Sequence, residues 1–252
     1  MNNIDLTPYY DLKEKDIARL GLFICEGKNT VDRMISSGIK VHSLVCIEDL
    51  EAYYKGLSKN EFPVITMSKK EISGITGIAF HRGVLASGFR PEIRNIENHI
   101  GSLDTETAVV ICPETDNPDN LGSIIRTSCA FGINNIIIGK NCIDPYKRKT
   151  IRVSMGNVFF INIWHVEDQE ATVNFLKSKG FTMIGTSLSD DSIDIREFNC
   201  EKKALVLGHE NYGIPEDWLS SCDIKVKIPM LNNTDSLNVS VAAGIFLYVM
   251  TR

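Results

Sequence analysis

The 252-residue sequence predicts an α/β protein of two modules, a small one over 1–98 and a larger one over 107–252. Three observations carry that expectation. Short runs rich in Val, Ile and Leu alternate with segments of helical apolar spacing. The stretch Arg90-Pro91 through Leu103 loses this periodicity and carries Pro, Asn, Glu and Gly, as a linker does. The charge also divides there: residues 1–98 hold 13 basic and 13 acidic side chains, and the rest hold 14 and 19.

In the first module, Val31, Met34 and Ile35 follow Asn29-Thr30 at helical spacing and predict a capped helix ending near Gly38. His42 to Ile47, Pro63 to Ser68 and Gly83 to Phe89 are strand-like. Helical stretches are expected near Asp49 to Lys55, closed by Gly56, and over Ser68 to Ile72. From Thr107 the pattern becomes strand then helix. Ala108 to Cys112 reads as a buried strand, Asn120 to Phe131 as a helix with Leu121, Ile124, Ile125 and Ser128 on one face, and Asn135 to Ile138 as a second strand. That spacing favours a βαβ unit with parallel strands. Val173 to Lys179 is helical, Thr182 to Thr186 and Ala204 to Leu207 are strands, and Ile224, Val226 and Ile228 alternate with Lys225 and Lys227. An apolar helix from about Ser236 to Met250 closes the chain.

With 27 Lys plus Arg against 32 Asp plus Glu, the formal net charge of −5 excludes a polycation that coats nucleic acid by charge alone. Any nucleic-acid partner must be held by a local patch. Seven cysteines, never closer than thirteen positions, exclude CxxC zinc pairs and argue against a disulfide framework. No metal site is expected. The first sixteen residues lack a basic segment followed by an apolar one, and Val239 to Met250 is too short to span a bilayer, so a cytoplasmic protein without membrane attachment is expected.

GxxxxGK[ST], GxGxxG after a strand, HExxH and GxSxG are all absent, which removes most of the case for phosphate-loop hydrolysis, dinucleotide binding and zinc hydrolysis. Three polar clusters remain, each after a strand, where open α/β sheets place ligands. In the first, Asn117 to Thr127, a turn rich in Asn, Asp and Pro caps a helix and Gly122 leaves room for close approach, with Arg126 four residues on along the same side. A plain capped helix with a solvated arginine would read the same way. The second, Leu207 to Pro215, puts Gly208 and Gly213 around Glu210, as a polar turn into a helix also would. The third runs from Ile228-Pro229-Met230 through Thr234 to Ala243. Ser236 or Asp235 can cap its helix, small residues at 240, 242, 243 and 244 allow close packing, and the amide of Asn238 calls for a hydrogen-bonding duty.

Taken together and in this order, the clusters make the chain resemble the SpoU-type (TrmH-like) RNA 2′-O-ribose methyltransferases of the SPOUT superfamily. The resemblance covers residues 107 to the end, through N-x-G-x-x-x-R (Asn120, Gly122, Arg126), G-x-E-x-x-G (Gly208, Glu210, Gly213), and I-P-M followed by S-L-N-V-S (Ser236 to Ser240). Arg152 to Gly156, RVSMG, resembles the family's R-x-S-x-G segment. Glu26-Gly27 before a helix and His81 to Ala86, HRGVLA, resemble the L30e-like RNA-binding module of members that act on ribosomal RNA.

The resemblance implies an α/β fold whose C-terminal segment is threaded into a trefoil knot, and a homodimer. It implies S-adenosylmethionine held at Thr186, Leu207, Gly208, Glu210, Gly213, Ile228, Met230 and Leu237, and catalysis by Arg126 with Asn120, Glu210, Asn238 and Ser236. An arginine is effectively always protonated, so the expected role of Arg126 is to orient the hydroxyl and its phosphate and to stabilise developing alkoxide charge. RNA contacts are expected from the basic loop Lys147, Arg148, Lys149 with Arg152, and from Lys28, Arg33, Arg82 and Arg90 in the first module; a solvated loop would look alike. The expected substrate is ribosomal RNA. Transfer RNA is the alternative, as is a non-catalytic RNA-binding relative, which should lack some of Asn120, Arg126, Glu210 and Asn238. A nucleotide-dependent oxidoreductase would want a glycine fingerprint that is missing.

Overall fold

The computed structural model describes residues 5–80, 82–96, 103–232 and 234–251. In chain order the first elements are α1 (Glu14–Arg19), β1 (Leu22–Glu26), α2 (Lys28–Ser36), β2 (Val41–Cys46), α3 (Glu48–Ser58), β3 (Val64–Thr66), α4 (Lys69–Thr76) and β4 (Val84–Phe89). There follow β5 (Arg94–Asn95), β6 (Ala108–Cys112), α5 (Pro118–Ala130), β7 (Asn135–Ile138), α6 (Arg148–Val153), β8 (Asn162–His165) and α7 (Gln169–Ser178). The last elements are β9 (Thr182–Thr186), β10 (Ile193–Asp194), β11 (Lys203–Val206), α8 (Glu216–Ser220), β12 (Ile224–Lys227) and α9 (Val239–Met250).

The chain forms two compact units. The first comprises Met1–Glu92 and Pro145–Phe159, and the second Ile93–Asp144 and Phe160–Arg252. In the first, a four-stranded sheet of order β1-β4-β2-β3 runs antiparallel except for the parallel pair β2/β3. Its core gathers Tyr9, Ile17, Ile24, Val45, Ile72 and Leu85. The unit differs from the expected 1–98 module in taking up 145–159. The reason is aromatic: Tyr146 and Phe159 stack on Phe23 of β1 with centroids 5.7 and 5.3 Å away. The expected basic loop is therefore helical over α6, which buries Ile151 against this unit. Gly56 does not close a helix; α3 runs through it and ends where Lys59 takes a left-handed conformation at φ 46°. Ser68 starts α4 with a capping box, its hydroxyl accepting from the Glu71 N–H and the Glu71 carboxylate accepting from the Ser68 N–H.

The second unit is built on an eight-stranded parallel sheet, β10-β12-β9-β11-β6-β7-β8-β5. Its central strands are buried along their length, which is why their sequences read as continuous apolar runs rather than alternations. The β6-α5-β7 unit has the expected parallel strands. The two late strands β11 and β12 enter gaps between strands laid down earlier, β11 between β9 and β6, and β12 between β10 and β9. The expected linker is partly structural: β5 pairs with β8, and Ile96 and Leu103 are wholly buried. The rest of that stretch, 97–102, lies outside the described residues, as does His81. Under the sheet, Trp164 donates its Nε1–H to the buried Asn135 Oδ1 at 2.8 Å among Ile111, Ile137, Leu176, Met183 and Val206. Each fully buried aliphatic side chain here is worth about 1.5–3 kcal/mol.

None of the seven cysteines is paired. Among the described residues there is no cluster able to hold a metal ion, and no helix is long and apolar enough to cross a membrane.

Candidate functional site

The site lies in the second unit, past the C-terminal ends of β9, β11 and β12. Helix α5 begins there because Asn117 caps it, its Oδ1 accepting from the Asp119 N–H at 2.8 Å with Pro118 in the first turn. That start carries Asn120, only 5% exposed, toward the turn after β11. The Asn120 amide donates to Glu210 Oε2 at 2.9 Å.

Helix α9 supplies the third member. Its cap is Asn238, not the expected Ser236 or Asp235: Asn238 Oδ1 accepts from the Ser240 N–H at 3.0 Å and from the Ser240 hydroxyl at 2.6 Å. With its oxygen so engaged, the Asn238 amide donates to Asn120 Oδ1 at 3.0 Å and to Glu210 Oε1 at 3.3 Å. Asn120, Glu210 and Asn238 thus close a ring in which each carboxylate oxygen receives an amide hydrogen. Three segments far apart in sequence are locked together at one point. α9 also packs along α5, with Gly244 facing Thr127, where an added Cβ would lie 3.8 Å from the threonine methyl.

Beside the ring is a cavity of about 610 Å³. That is a size typical of small-molecule and cofactor sites. All eight residues that the resemblance assigns to S-adenosylmethionine line it: Thr186, Leu207, Gly208, Glu210, Gly213, Ile228, Met230 and Leu237, together with Ser236. Its shape depends on a tight turn. His209 and Gly213 exchange backbone hydrogen bonds of 2.8 and 3.0 Å, and Gly213 takes φ 73°. A Cβ on Gly208 would stand 2.6 Å from the Gly213 carbonyl carbon and 2.7 Å from the Ile214 nitrogen, so only glycine lets the turn fold back this closely. Thr186 points its hydroxyl to the Val206 carbonyl at 3.1 Å, tying β9 to β11 at the cavity.

Arg126 stands apart from this ring. Its side chain is exposed, makes no hydrogen bond or ion pair among the described residues, and is not part of the cavity lining. Sequence reasoning did not anticipate the apolar floor from Ile214, Leu219, Val226, Val239, Ala242 and Phe246, nor the polar rim from His209, Tyr212 and Lys227. The periodicity of α9 marked Phe246 as apolar, but nothing local said which cavity it would meet.

The residues expected to touch RNA lie in the first unit, and the side chains of Lys28, Arg82 and Arg152 pair with acids. Lys28 pairs with Asp32 at 2.6 Å and sits over the Tyr53 ring at 4.0 Å. Arg82 and Arg152 approach the same carboxylate, Glu26 Oε1, at 3.6 and 3.5 Å; Glu26 is 6% exposed while both arginines remain about half exposed. Arg33 donates to the Met155 carbonyl at 3.0 Å and to Asn157 Oδ1 at 2.9 Å. Arg148 donates its backbone N–H to Glu14, and its Nη1 is buried without a partner. Arg90 sits over the Tyr146 ring, 5.6 Å from its centroid. Lys147 precedes α6 and Lys149 lies within it.

Known proteins share the fold and, in part, the sequence. An S-adenosylmethionine-bound rRNA methyltransferase from Sinorhizobium meliloti superposes with a TM-score of 0.82 at 27% identity, covering 94% of this chain and 89% of that one. The SpoU methyltransferase AviRb of Streptomyces viridochromogenes has the same fold, with a TM-score of 0.79 over 94% of this chain at 23% identity. A TrmH family tRNA/rRNA methyltransferase of Staphylococcus saprophyticus is 28% identical over 236 residues, 90% of this chain and 94% of its own. An uncharacterized tRNA/rRNA methyltransferase of Mycobacterium tuberculosis is 29% identical over 236 residues, 92% of this chain and 81% of its own. The profile of the SpoU rRNA methylase family matches residues 107–248, more than half of the chain and the whole of the ring and cavity, and the chain belongs to that family.

Proposed function

We propose that this protein transfers a methyl group from S-adenosylmethionine to a ribose 2′-hydroxyl of RNA, ribosomal rather than transfer, acting in the cytoplasm as a homodimer whose C-terminal segment is threaded into the family's trefoil knot. The observation that carries the reading is the Asn120–Glu210–Asn238 ring at the wall of a 610 Å³ cavity. The lining fits the donor: apolar side chains from Leu207, Ile228, Met230 and Leu237 suit a flat ring, and the turn around Gly208 offers backbone at close range. When bound, S-adenosylmethionine supplies an electrophilic methyl on a sulfonium.

The chain's own residues must then hold a hydroxyl in line with that methyl and accommodate its proton. Positioning of this kind is worth about 7–11 kcal/mol of barrier. The ring keeps Glu210 and two amides fixed, so reorganisation is small when charge develops. Arg126, whose side chain has no internal partner to give up, orients the hydroxyl and the neighbouring phosphate and stabilises the developing alkoxide while its proton passes to solvent. The first unit serves as an L30e-like RNA-binding module, gripping structured RNA through Lys28, Arg82, Lys147, Arg148, Lys149 and Arg152, so that the second unit reaches one ribose.

The test uses the purified protein, radiolabelled S-adenosylmethionine and total RNA from cells lacking the gene. Label in 2′-O-methylated nucleosides of ribosomal RNA supports the reading; label on a base, in transfer RNA alone, or nowhere overturns the corresponding part. Arg126→Ala should bind the methyl donor within threefold of wild type by titration calorimetry yet lose at least about a hundredfold in turnover. Near-normal turnover would sink the assignment.

A further inference from the structure

Tyr212 is 82% exposed, the most exposed large apolar side chain among the described residues, and it lines the cavity rather than some distant surface. It does not hang free. Its ring stacks on His209 with centroids 5.0 Å apart and planes 27° from parallel. His209 is itself fixed, its side chain only 9% exposed. Its Nδ1 accepts from the Asn211 N–H at 3.1 Å, which leaves the proton on Nε2, 3.3 Å from Asp116 Oδ1. The reciprocal His209–Gly213 backbone bonds close the turn beneath both rings. One face of Tyr212 is backed, and the other faces open space two residues from Glu210 and its amide ring.

A large ring held in a fixed plane with one bare face, beside a site that handles RNA, has the shape of a stacking surface. Single-stranded bases are commonly bound by splaying them out onto such rings. On this basis, which rests on the methyltransferase reading above, we infer that the outer face of Tyr212 stacks a nucleobase of the RNA, that of the target nucleotide or its immediate neighbour, and that His209 positions the ring. The recognition is through the π face, so it tolerates every base and favours purines for their larger area. The tyrosine hydroxyl is not required.

The experiment compares Tyr212→Ala, Tyr212→Phe and Tyr212→Trp with wild type, using methyl transfer to total RNA from cells lacking the gene and calorimetric affinity for S-adenosylmethionine. Tyr212→Ala should lose about tenfold or more in kcat/KM on RNA, with donor affinity within twofold, while the Phe and Trp variants stay within threefold of wild type on both. His209→Phe, which keeps a flat backing ring, should retain the activity that His209→Ala loses. Full activity in Tyr212→Ala overturns the inference. So does a Phe variant as poor as Ala, or a loss of donor affinity that tracks the loss of transfer. If the wild-type protein itself places no methyl on RNA, the methyltransferase reading falls first, and that outcome is separable because it shows before any variant is compared.

Discussion

Glu26 in the first unit and Glu210 in the second each tie three segments together, with opposite chemistry. Glu26 is buried and faces two guanidinium groups, Arg82 and Arg152, that remain about half exposed. Glu210 is exposed and is held by two neutral amides, one from α5 and one capping α9. The charged node sets two guanidinium groups against one carboxylate, so a net positive charge of one remains, carried by side chains that reach the surface. The amide node carries its single negative charge with almost no flexibility in direction. Under the proposed function, a surface that draws in RNA and a pocket that aligns one atom call for these two designs respectively.

The comparison can be broken most forcefully at the turn that shapes the pocket. Gly208→Ala would place a Cβ 2.6 Å from the backbone of Gly213, with no flexible side chain to yield. Overpacking costs of about 1–3 kcal/mol and loss of measurable S-adenosylmethionine binding are expected, read by urea denaturation and calorimetry. A variant that binds the donor normally would show that the turn does not define the cavity.

The charged node carries an asymmetry of its own. Removing both arginines, as in Arg82→Ala with Arg152→Ala, leaves a buried carboxylate without compensation, at a cost of about 3–5 kcal/mol. Glu26→Ala leaves only half-exposed cations that water can solvate, and should cost clearly less. Equal urea midpoints for the two variants would mean that Glu26 is not effectively desolvated. At the amide node, Asn238→Ala should cost about 1 kcal/mol from the lost cap. Asn238→Asp keeps a cap acceptor but sets a second negative charge against Glu210, so it should keep the cap, stay less stable than wild type through that repulsion, and lose methyl transfer. Recovery of both stability and transfer would show that the ring only caps a helix.

How legible these nodes were from sequence follows from the range of the interactions. Strands such as Ala108–Cys112 and Asn135–Ile138 were readable because burial on both faces writes a continuous apolar run, and α5 because its cap is local. The polar clusters around Asn120, Glu210 and Asn238 were visible as candidates, but their joining into a ring depends on contacts across 90 and 118 positions. The cap of α9 was misplaced by two or three residues because Thr234, Asp235, Ser236 and Asn238 are all good cap residues. What selects Asn238 is that its amide also reaches Asn120. The transfer of 145–159 to the first unit was illegible for a similar reason, since Tyr146 and Phe159 meet Phe23 more than a hundred residues away.

The thiols, which occur in both units, set how stability falls in alkali. Burial pushes Cys46 in the first and Cys142 and Cys222 in the second up to about 11. In the unfolded chain thiols ionise near the ordinary value, about 8.5. The unfolded state therefore loses its protons first, and stability should fall as pH rises from about 8.5 toward 11. At pH 8 the native protein should react slowly with a thiol reagent, because only about one in a thousand of these groups is thiolate. A fast stoichiometric reaction, or a urea midpoint that holds steady through that window, would contradict the burial.

The sheet order also dictates something about synthesis. The gap between β9 and β6 is filled only by Lys203–Val206, and the gap between β10 and β9 only by Ile224–Lys227. A growing chain emerging from the ribosome cannot complete this sheet element by element. Until the last fifth has been made, β6-β7-β8 and β9 must wait as separate pieces with open edges, exposed to pairing with other chains. Chains that stop short of Lys203 should therefore aggregate rather than fold into a smaller version of the unit, and completed chains should fold slowly, in a concerted final step.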